Sequence, residues 1–99
     1  MSLGFTHERA VGGKTVEWYT PPEVFGALGL TFDLDPCAPR GGLAWIPARR
    51  FYWLPEFNGL HERWEGRVWL NPPYGPFTAR WLARFVEHRN GVALVFARP

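Results

Sequence analysis

The last third of the chain alternates between strand-like and helix-like patterns, and this alternation restricts the fold more than any other feature. Residues 67–70 and 92–96 are short, mostly apolar runs, typical of buried strands. Between them, residues 76–88 carry apolar side chains at positions 77, 81, 82, 85 and 86, which is helical spacing. A strand, a helix and a second strand in this order predict a right-handed βαβ unit with parallel strands. Because the second strand is apolar throughout, we expect both of its faces to be covered.

A helix is predicted closer to the amino terminus, at a Thr-Pro-Pro-Glu run. Thr20 is expected to cap this helix, Pro21 to occupy its first position and Glu23 to complete a capping box. Apolar residues follow at helical spacing, and Gly29 can end the helix in the left-handed conformation. The helix is therefore expected to begin at Thr20-Pro21 and to end at Gly29.

Residues 31–35 alternate apolar and acidic side chains. This alternation predicts a strand with Phe32 and Leu34 on one face and the two aspartates on the other. Pro36 ends the strand. Residues 50–53 predict another short strand, and the segments around it predict loops. With the βαβ unit, these elements predict an α/β fold built on an open, mostly parallel sheet.

Length and composition indicate one small domain. The chain has 99 residues, of which 46% are hydrophobic, enough for a core. Residues 1–16 lack periodicity, and we interpret them as a flexible N-terminal arm before an α/β domain over residues 17–99. A single cysteine excludes an internal disulfide, and three scattered histidines lack metal-ligand spacing, so no metal is expected. No leader pattern or membrane-length apolar run is found, which favours a cytoplasmic protein without membrane contact.

The charge composition is compatible with a nucleic-acid partner but does not require one. The net charge is +2, and ten of the eleven cationic side chains are arginine. The planar guanidinium group suits bidentate contacts to phosphate. A GC-rich genome also produces arginine-rich proteins, so both interpretations remain open.

Polar residues follow two of the predicted strands directly. Asp35-Pro36 lies at the end of the strand at residues 31–35, and Asn71-Pro72 follows the strand at residues 67–70. Ligands of open α/β sheets bind beyond the carboxyl ends of the strands. The sequence therefore predicts a functional site where these two dipeptides meet.

The tetrapeptide Asn71-Pro72-Pro73-Tyr74 has the chemistry to hold a planar amino group. The side-chain oxygen of Asn71 and the backbone carbonyl of Pro72 are two acceptors for amine hydrogens. Proline stiffens the loop, so these acceptors are in place before reaction. Tyr74 can stack on a base extruded from a duplex. The structural alternative is a proline-rich turn after a strand, with Tyr74 packed on the core.

Three segments, in this order along the chain, resemble the phage-type DNA N-6-adenine methyltransferase family, whose members depend on S-adenosylmethionine. They are Glu-Trp-Tyr-Thr-Pro at residues 17–21, Phe-Asp-Leu-Asp-Pro-Cys-Ala at residues 32–38 and Trp-Leu-Asn-Pro-Pro-Tyr-Gly at residues 69–75. The apolar strand at residues 92–96 also matches the strand that follows the catalytic loop in that family.

This resemblance implies a Rossmann-like methyltransferase sheet and methylation of the N6 amino group of adenine in double-stranded DNA. The chain would then act in the cytoplasm of a bacterial host or be encoded by a prophage. The residues expected to bind S-adenosylmethionine are Trp18, Tyr19, Thr20, Pro21, Asp35 and Pro36. The residues expected to hold the adenine are Asn71, Pro72, Pro73 and Tyr74, with Asn71, Pro72 and Tyr74 as the catalytic set.

The chain also departs from the family pattern. Family members continue into further strands after the position of Pro99, so we expect a sheet shortened at its C-terminal end. An apolar strand at a sheet edge promotes aggregation, which a homodimer covering that edge would prevent. The region that reads nucleic acid is either absent or reduced to arginine-bearing loops such as those of Arg40, Arg49 and Arg50. Two alternatives remain: a truncated, non-catalytic binding or interaction module, and a methyltransferase acting on RNA or on protein glutamine.

Overall fold

A computed structural model describes residues 7–11 and 15–95 of the chain, with side chains from Thr20 onward. Its elements in chain order are β1 (His7–Val11), β2 (Thr15–Tyr19), α1 (Pro22–Leu28), β3 (Phe32–Asp35), β4 (Ala48–Phe51), β5 (Val68–Leu70), α2 (Thr78–His88) and β6 (Gly91–Ala93).

The main sheet has four strands in the order β4-β3-β5-β6. All of its neighbouring pairs are parallel. The strands β5 and β6 are joined through α2, so the predicted βαβ unit with parallel strands is confirmed. The described chain is thus a small α/β domain with a parallel sheet and two helices, as the sequence pattern predicts.

The core lies on both faces of this sheet. Val68 and Leu70 of β5 pack in one cluster, while Trp69 between them packs in the other. The cluster on the α1 side contains Val24, Phe25, Phe32, Ile46, Trp69 and Leu94. The cluster on the α2 side contains Leu34, Tyr52, Trp64, Val68, Leu70 and Trp81. Because consecutive strand residues point to opposite faces, the two helices cover opposite sides of β5.

The strand β3 does not follow the predicted alternation. Phe32 packs in the α1 cluster and Leu34 in the α2 cluster, so the prediction that they share a face is wrong. The backbone N–H groups of Asp33 and Leu34 both point to the carbonyl oxygen of Arg67, at 2.7 and 3.4 Å. Two residues opposite one is the geometry of a β-bulge, and a bulge changes which face the following side chains occupy.

The structure also differs from the prediction of a loose arm over residues 1–16. The strands β1 and β2 pair antiparallel, with Glu8 opposite Trp18 and Arg9 opposite Glu17. The arm prediction relied on missing periodicity and on Gly12-Gly13, but two short strands around glycines are also a hairpin pattern. The boundary predicted at residue 17 therefore falls inside β2. Residues 1–6 and 12–14 lie outside the described residues.

Several predicted boundaries shift by a few residues. The helix α1 begins at Pro22 and ends at Gly29, whose φ of 64° confirms the predicted left-handed cap. The strand β4 covers Ala48–Phe51 instead of residues 50–53. Phe77 lies just before α2, and Val86 within α2 is 71% exposed. Neither residue belongs to the buried face of this helix.

The strand β6 is shorter and more exposed than predicted. It covers Gly91–Ala93 and stands at the edge of the sheet as far as the structure describes it. Leu94 is buried but Val95 is 43% exposed, so the prediction that both faces are covered along the whole segment is wrong. Phe96 lies outside the described residues. None of the helices within the described residues has the length and apolar character to cross a bilayer.

Candidate functional site

The carboxyl ends of β3 and β5 meet at one edge of the sheet. The two strands are parallel neighbours, with Leu34 paired to Val68, and they end at Asp35 and Leu70. Asp35 is the last residue of β3 and Asn71 is the first residue after β5, so both lie at the same edge of the sheet. The predicted convergence of the two dipeptides is confirmed.

Thr20 joins a third segment to this edge. Its hydroxyl oxygen accepts a hydrogen bond from Nδ2 of Asn71 at 3.2 Å, across 51 positions of sequence. The prediction that Thr20 caps α1 is wrong, because Pro21 is the N-cap and no side chain caps the helix. Thr20 is 1% exposed, so its hydroxyl is a fixed partner that orients the Asn71 amide.

Asp35 is buried, with only 2% of the residue exposed to solvent. Burial raises its pKa from 3.8 to about 7, and the hydrogen bond that Oδ1 accepts from the backbone N–H of Cys37 lowers it by less. Buried carboxyl groups at strand ends with raised pKa values are frequent at functional sites. This group is ionised in only part of the molecules near neutral pH.

The loop after Asn71 is tied down by Thr78, the first residue of α2. The Thr78 hydroxyl donates to the carbonyl oxygen of Pro73 at 2.6 Å and accepts from the backbone N–H of Gly75 at 2.9 Å. These bonds hold both sides of Tyr74, which is half-buried. A side chain at a helix start that bonds back to the preceding loop fixes the path of that loop.

Replacing Thr78 by valine is expected to lower the free energy of unfolding by about 1 to 2 kcal/mol. Valine keeps the branched shape but removes the hydroxyl, which leaves the Gly75 N–H and the Pro73 carbonyl without that partner. Urea unfolding of the purified chain measures the loss. Thr78→Ser retains the hydroxyl and should stay within about 0.5 kcal/mol of wild type. Equal stability of Thr78→Val and wild type would show that the hydroxyl does not hold the loop.

Trp45 is a residue at this site that the sequence did not reveal. Its indole Nε1 donates to the backbone carbonyl of Thr20 at 2.6 Å, while 41% of the residue is exposed. An exposed aromatic face thus lies beside the Thr20–Asn71 pair. Trp45 and Thr20 are 25 residues apart in sequence. The one sequence signal for Trp45 is its position in a Pro- and Gly-containing loop. Thr78 was also missed, although a threonine three residues after Gly75 is a local signal.

The residues predicted to form the site differ in how far they are exposed to solvent. Thr20, Pro21, Asp35, Pro36 and Pro72 are among the most fully buried side chains. Asn71 and Tyr74 are half-buried and Pro73 is exposed. Trp18 and Tyr19 belong to β2, and their side chains lie outside the described ones. A ligand can approach Asn71, Pro73 and Tyr74 directly, whereas contact with Asp35 or Thr20 requires this end of the sheet to open.

One loop packs closely against the end of β3. Gly59 is itself buried, and a Cβ atom there would collide with the carbonyl oxygen of Pro36. The loop of Gly59 therefore lies directly against the Asp35-Pro36 turn.

Comparison with models of known protein families, with curated proteins and with solved structures finds no match to this chain.

Proposed function

We propose that this chain is an S-adenosylmethionine-dependent DNA (adenine-N6)-methyltransferase with a Rossmann-like sheet, similar to the phage-type family. The observation that carries the proposal is the meeting of all three family-like segments at one sheet edge. Asp35 ends β3, Asn71 follows the adjacent parallel strand β5, and Thr20 bonds to Asn71. Three segments distant in sequence would not need to converge if each were only a local turn.

The chemistry of the proposed donor residues fits S-adenosylmethionine, although their burial requires the site to open first. A carboxylate such as Asp35, whose burial disfavours its charge, is stabilised by hydroxyl donors or by a nearby cation. The donor carries both: ribose hydroxyls and a positive sulfonium, from which it supplies an electrophilic methyl group. Trp18, Tyr19, Thr20, Pro21 and Pro36 would complete its binding surface.

The proposed adenine residues act as fixed acceptors. The Thr20 hydroxyl takes a hydrogen of Nδ2, which sets the plane of the Asn71 amide and the direction of its oxygen. An amide oxygen has two lone pairs and can accept a substrate N–H beside any partner in the protein. With the Pro72 carbonyl, this oxygen would draw the amine towards tetrahedral geometry and localise its lone pair. Tyr74 would stack on the ring, in a loop that Thr78 keeps in place.

The residues at this edge need not include a strong base. An adenine amine becomes positively charged on methylation and then loses a proton to water readily. Because the target amine is otherwise held within the base pair, the nucleotide must be extruded from the duplex. The same acceptors could hold the amide of glutamine or an RNA base. The Trp-Tyr-Thr-Pro and Asp-Pro-Cys-Ala segments are the reason for preferring DNA.

A non-catalytic binding module is the second candidate, and the burial of Asp35 and Thr20 favours it. A site whose proposed donor residues are covered by protein would also suit a fold that has lost its activity. The exposed edge at β6 fits either function, because a second copy could pair there. For both candidates we propose a cytoplasmic protein. The oligomeric state, measured by light scattering, tests the homodimer.

Titration of the purified chain with S-adenosylmethionine in a calorimeter separates these candidates. Methyltransferase function predicts saturable binding, lost in Asp35→Ala but retained in Asp33→Ala, followed by N6-methyladenine formation in duplex DNA. A folded chain that binds no donor would support the non-catalytic module. Methyl incorporation into RNA or protein instead of DNA would show that the substrate is RNA or protein.

A further inference from the structure

Trp45 is the one exposed tryptophan among the side chains that the structure describes. The residue is 41% exposed, whereas Trp64, Trp69 and Trp81 are at most 7% exposed. Single exposed apolar residues are common on protein surfaces, so exposure alone assigns no role to Trp45. Its fixed position and its neighbours give the reason to consider it as a ligand contact.

The indole of Trp45 is held in place by its own nitrogen and by the backbone that follows it. Its Nε1 donates to the carbonyl oxygen of Thr20 at 2.6 Å. The next residue, Ile46, is buried in the cluster on the α1 side. The carbonyl oxygen of Pro47 then accepts from the backbone N–H of Phe32 at 2.7 Å. A flat aromatic surface is therefore presented to solvent in a fixed position, and a ligand need not order it on binding.

This surface lies close to the reacting end of the proposed site. Thr20 bonds to Trp45 through its carbonyl oxygen and to Asn71 through its hydroxyl oxygen. Hydrogen bonds of 2.6 and 3.2 Å through this one residue place Nε1 of Trp45 within about 10 Å of Nδ2 of Asn71. Trp45 also belongs to the loop that continues from Asp35-Pro36. The indole thus contacts one segment proposed to bind the methyl donor and lies in the loop that extends the other.

The face of Trp45 carries no cation from the protein, as far as its side chains are described. Arginines lie over other aromatic rings at 5.0 to 6.0 Å from the ring centroid, namely those of Phe32, Tyr52, Phe77 and Trp64. The face of an aromatic ring is electrostatically negative, and tryptophan attracts cations more strongly than the other aromatic side chains do. The exposed face of Trp45 therefore suits a cationic ligand.

We infer that Trp45 binds the sulfonium group of S-adenosylmethionine through the face of its indole, an inference that rests on the proposed function for its ligand. Reacting atoms lie about 3 to 3.5 Å apart before transfer, so the methyl carbon must come this close to the amine that Asn71 holds. The sulfonium is bonded to that carbon and therefore also lies near Asn71. A cation–π contact extends about 6 Å from the ring centroid, which brings the sulfonium within reach of Trp45.

The relative affinity of two compounds tests the inference. S-adenosylmethionine and S-adenosylhomocysteine differ only by the methyl group and its positive charge, so this ratio reports what contacts the sulfonium. In calorimetric titrations, Trp45→Leu should prefer the charged compound about fivefold less than wild type does, or lower still. Trp45→Phe keeps a ring but loses Nε1, and its preference should lie between those of wild type and Trp45→Leu.

Phe77→Leu is the matched control. It removes an exposed ring just before α2, on the other side of the sheet, where Arg80 already lies over the ring. Its preference for the charged compound should equal that of wild type. A loss in Phe77→Leu as large as that in Trp45→Leu would overturn the inference, because any exposed ring would then have the same effect.

Two further results would overturn the inference. Equal weakening of both compounds in Trp45→Leu would mean that the indole stacks on the adenine ring of the donor or only supports the Thr20 segment. Unchanged affinity for both compounds would mean that Trp45 does not contact the donor.

Methyl transfer measured on the same samples keeps this inference separate from the proposed function. A preference for the charged compound that depends on Trp45, without methyl transfer, would support the contact and contradict the enzyme. Methyl transfer with a preference that ignores Trp45 would do the reverse. A folded chain that binds neither compound would contradict both.

Discussion

Asn71→Ala is expected to lower methyl transfer to adenine by about 100-fold or more while S-adenosylmethionine still binds. The variant removes the side-chain oxygen proposed to accept an amine hydrogen, and deletion of one fixed hydrogen-bonding partner in an active site costs about 10²–10³ in rate. The residues proposed to bind the donor, including Asp35 at the end of the neighbouring strand, are unchanged. A methylation assay on duplex DNA and a calorimetric titration with the donor give the two readouts.

Two controls separate this effect from damage to the fold. Asn90→Ala makes the same change at an exposed position before β6, at the opposite end of the sheet, and should keep full activity. Asn71→Ala also leaves the buried Thr20 hydroxyl without its Nδ2 donor, which is expected to cost about 1 kcal/mol of stability. Activity should therefore be compared at a temperature where both variants are folded. An Asn71→Ala chain that methylates at the wild-type rate would remove Asn71 from the mechanism.

The parts of this fold that follow from local patterns could be predicted. The run from β5 through α2 to β6 has clear strand and helix periods, and a strand, a helix and a strand in this order predict two parallel strands of one sheet. If the strand of residues 31–35 joins the same parallel sheet, Asp35 and Asn71 lie at the same edge, because the carboxyl ends of parallel strands share one edge. Both dipeptides of the candidate site were found in this way.

The parts that depend on distant contacts could not be predicted. Thr20 has every local feature of a helix cap, yet its hydroxyl bonds to Asn71, 51 residues away. The bulge in β3 depends on the Arg67 carbonyl, which no pattern within residues 31–35 contains. The hairpin of β1 and β2 was missed for a different reason, since its strands are short and their alternation is weak.

The burial of Asp35 was the least expected feature of the site and has the clearest energetic consequence. A charged aspartate at the end of a strand is expected to be exposed to solvent. Here burial raises its pKa from 3.8 to about 7. The folded protein therefore holds a proton on Asp35 at pH values where the unfolded chain has lost it.

Asp35→Asn is expected to be more stable than wild type at pH 8, by about 4 kcal/mol, and equally stable near pH 4. Between pH 3.8 and 7 the folded state binds more protons at this position than the unfolded state, so stability from Asp35 falls as pH rises through that window. Below pH 3.8 Asp35 is protonated in both the folded and the unfolded state. Above pH 7 it is ionised in both, and the folded state carries the whole cost of burying the charge. The folded and unfolded pKa values of Asp35 differ by about three, and each pKa unit is worth about 1.36 kcal/mol, so the free energy of unfolding changes by about 4 kcal/mol.

Urea unfolding of both chains from pH 4 to pH 8 measures this difference, and subtracting the two curves cancels the groups that they share. Asparagine keeps the Oδ1 acceptor for the Cys37 N–H and removes the charge, and the pH dependence of the difference reports the charge. A stability cost of this size is a large part of the 5–15 kcal/mol typical of a small domain. If Asp35 binds the donor, Asp35→Asn should gain stability and lose donor binding together, which is the trade-off expected of a functional residue. A variant that is less stable than wild type at pH 8 would instead make Asp35 a structural carboxylate.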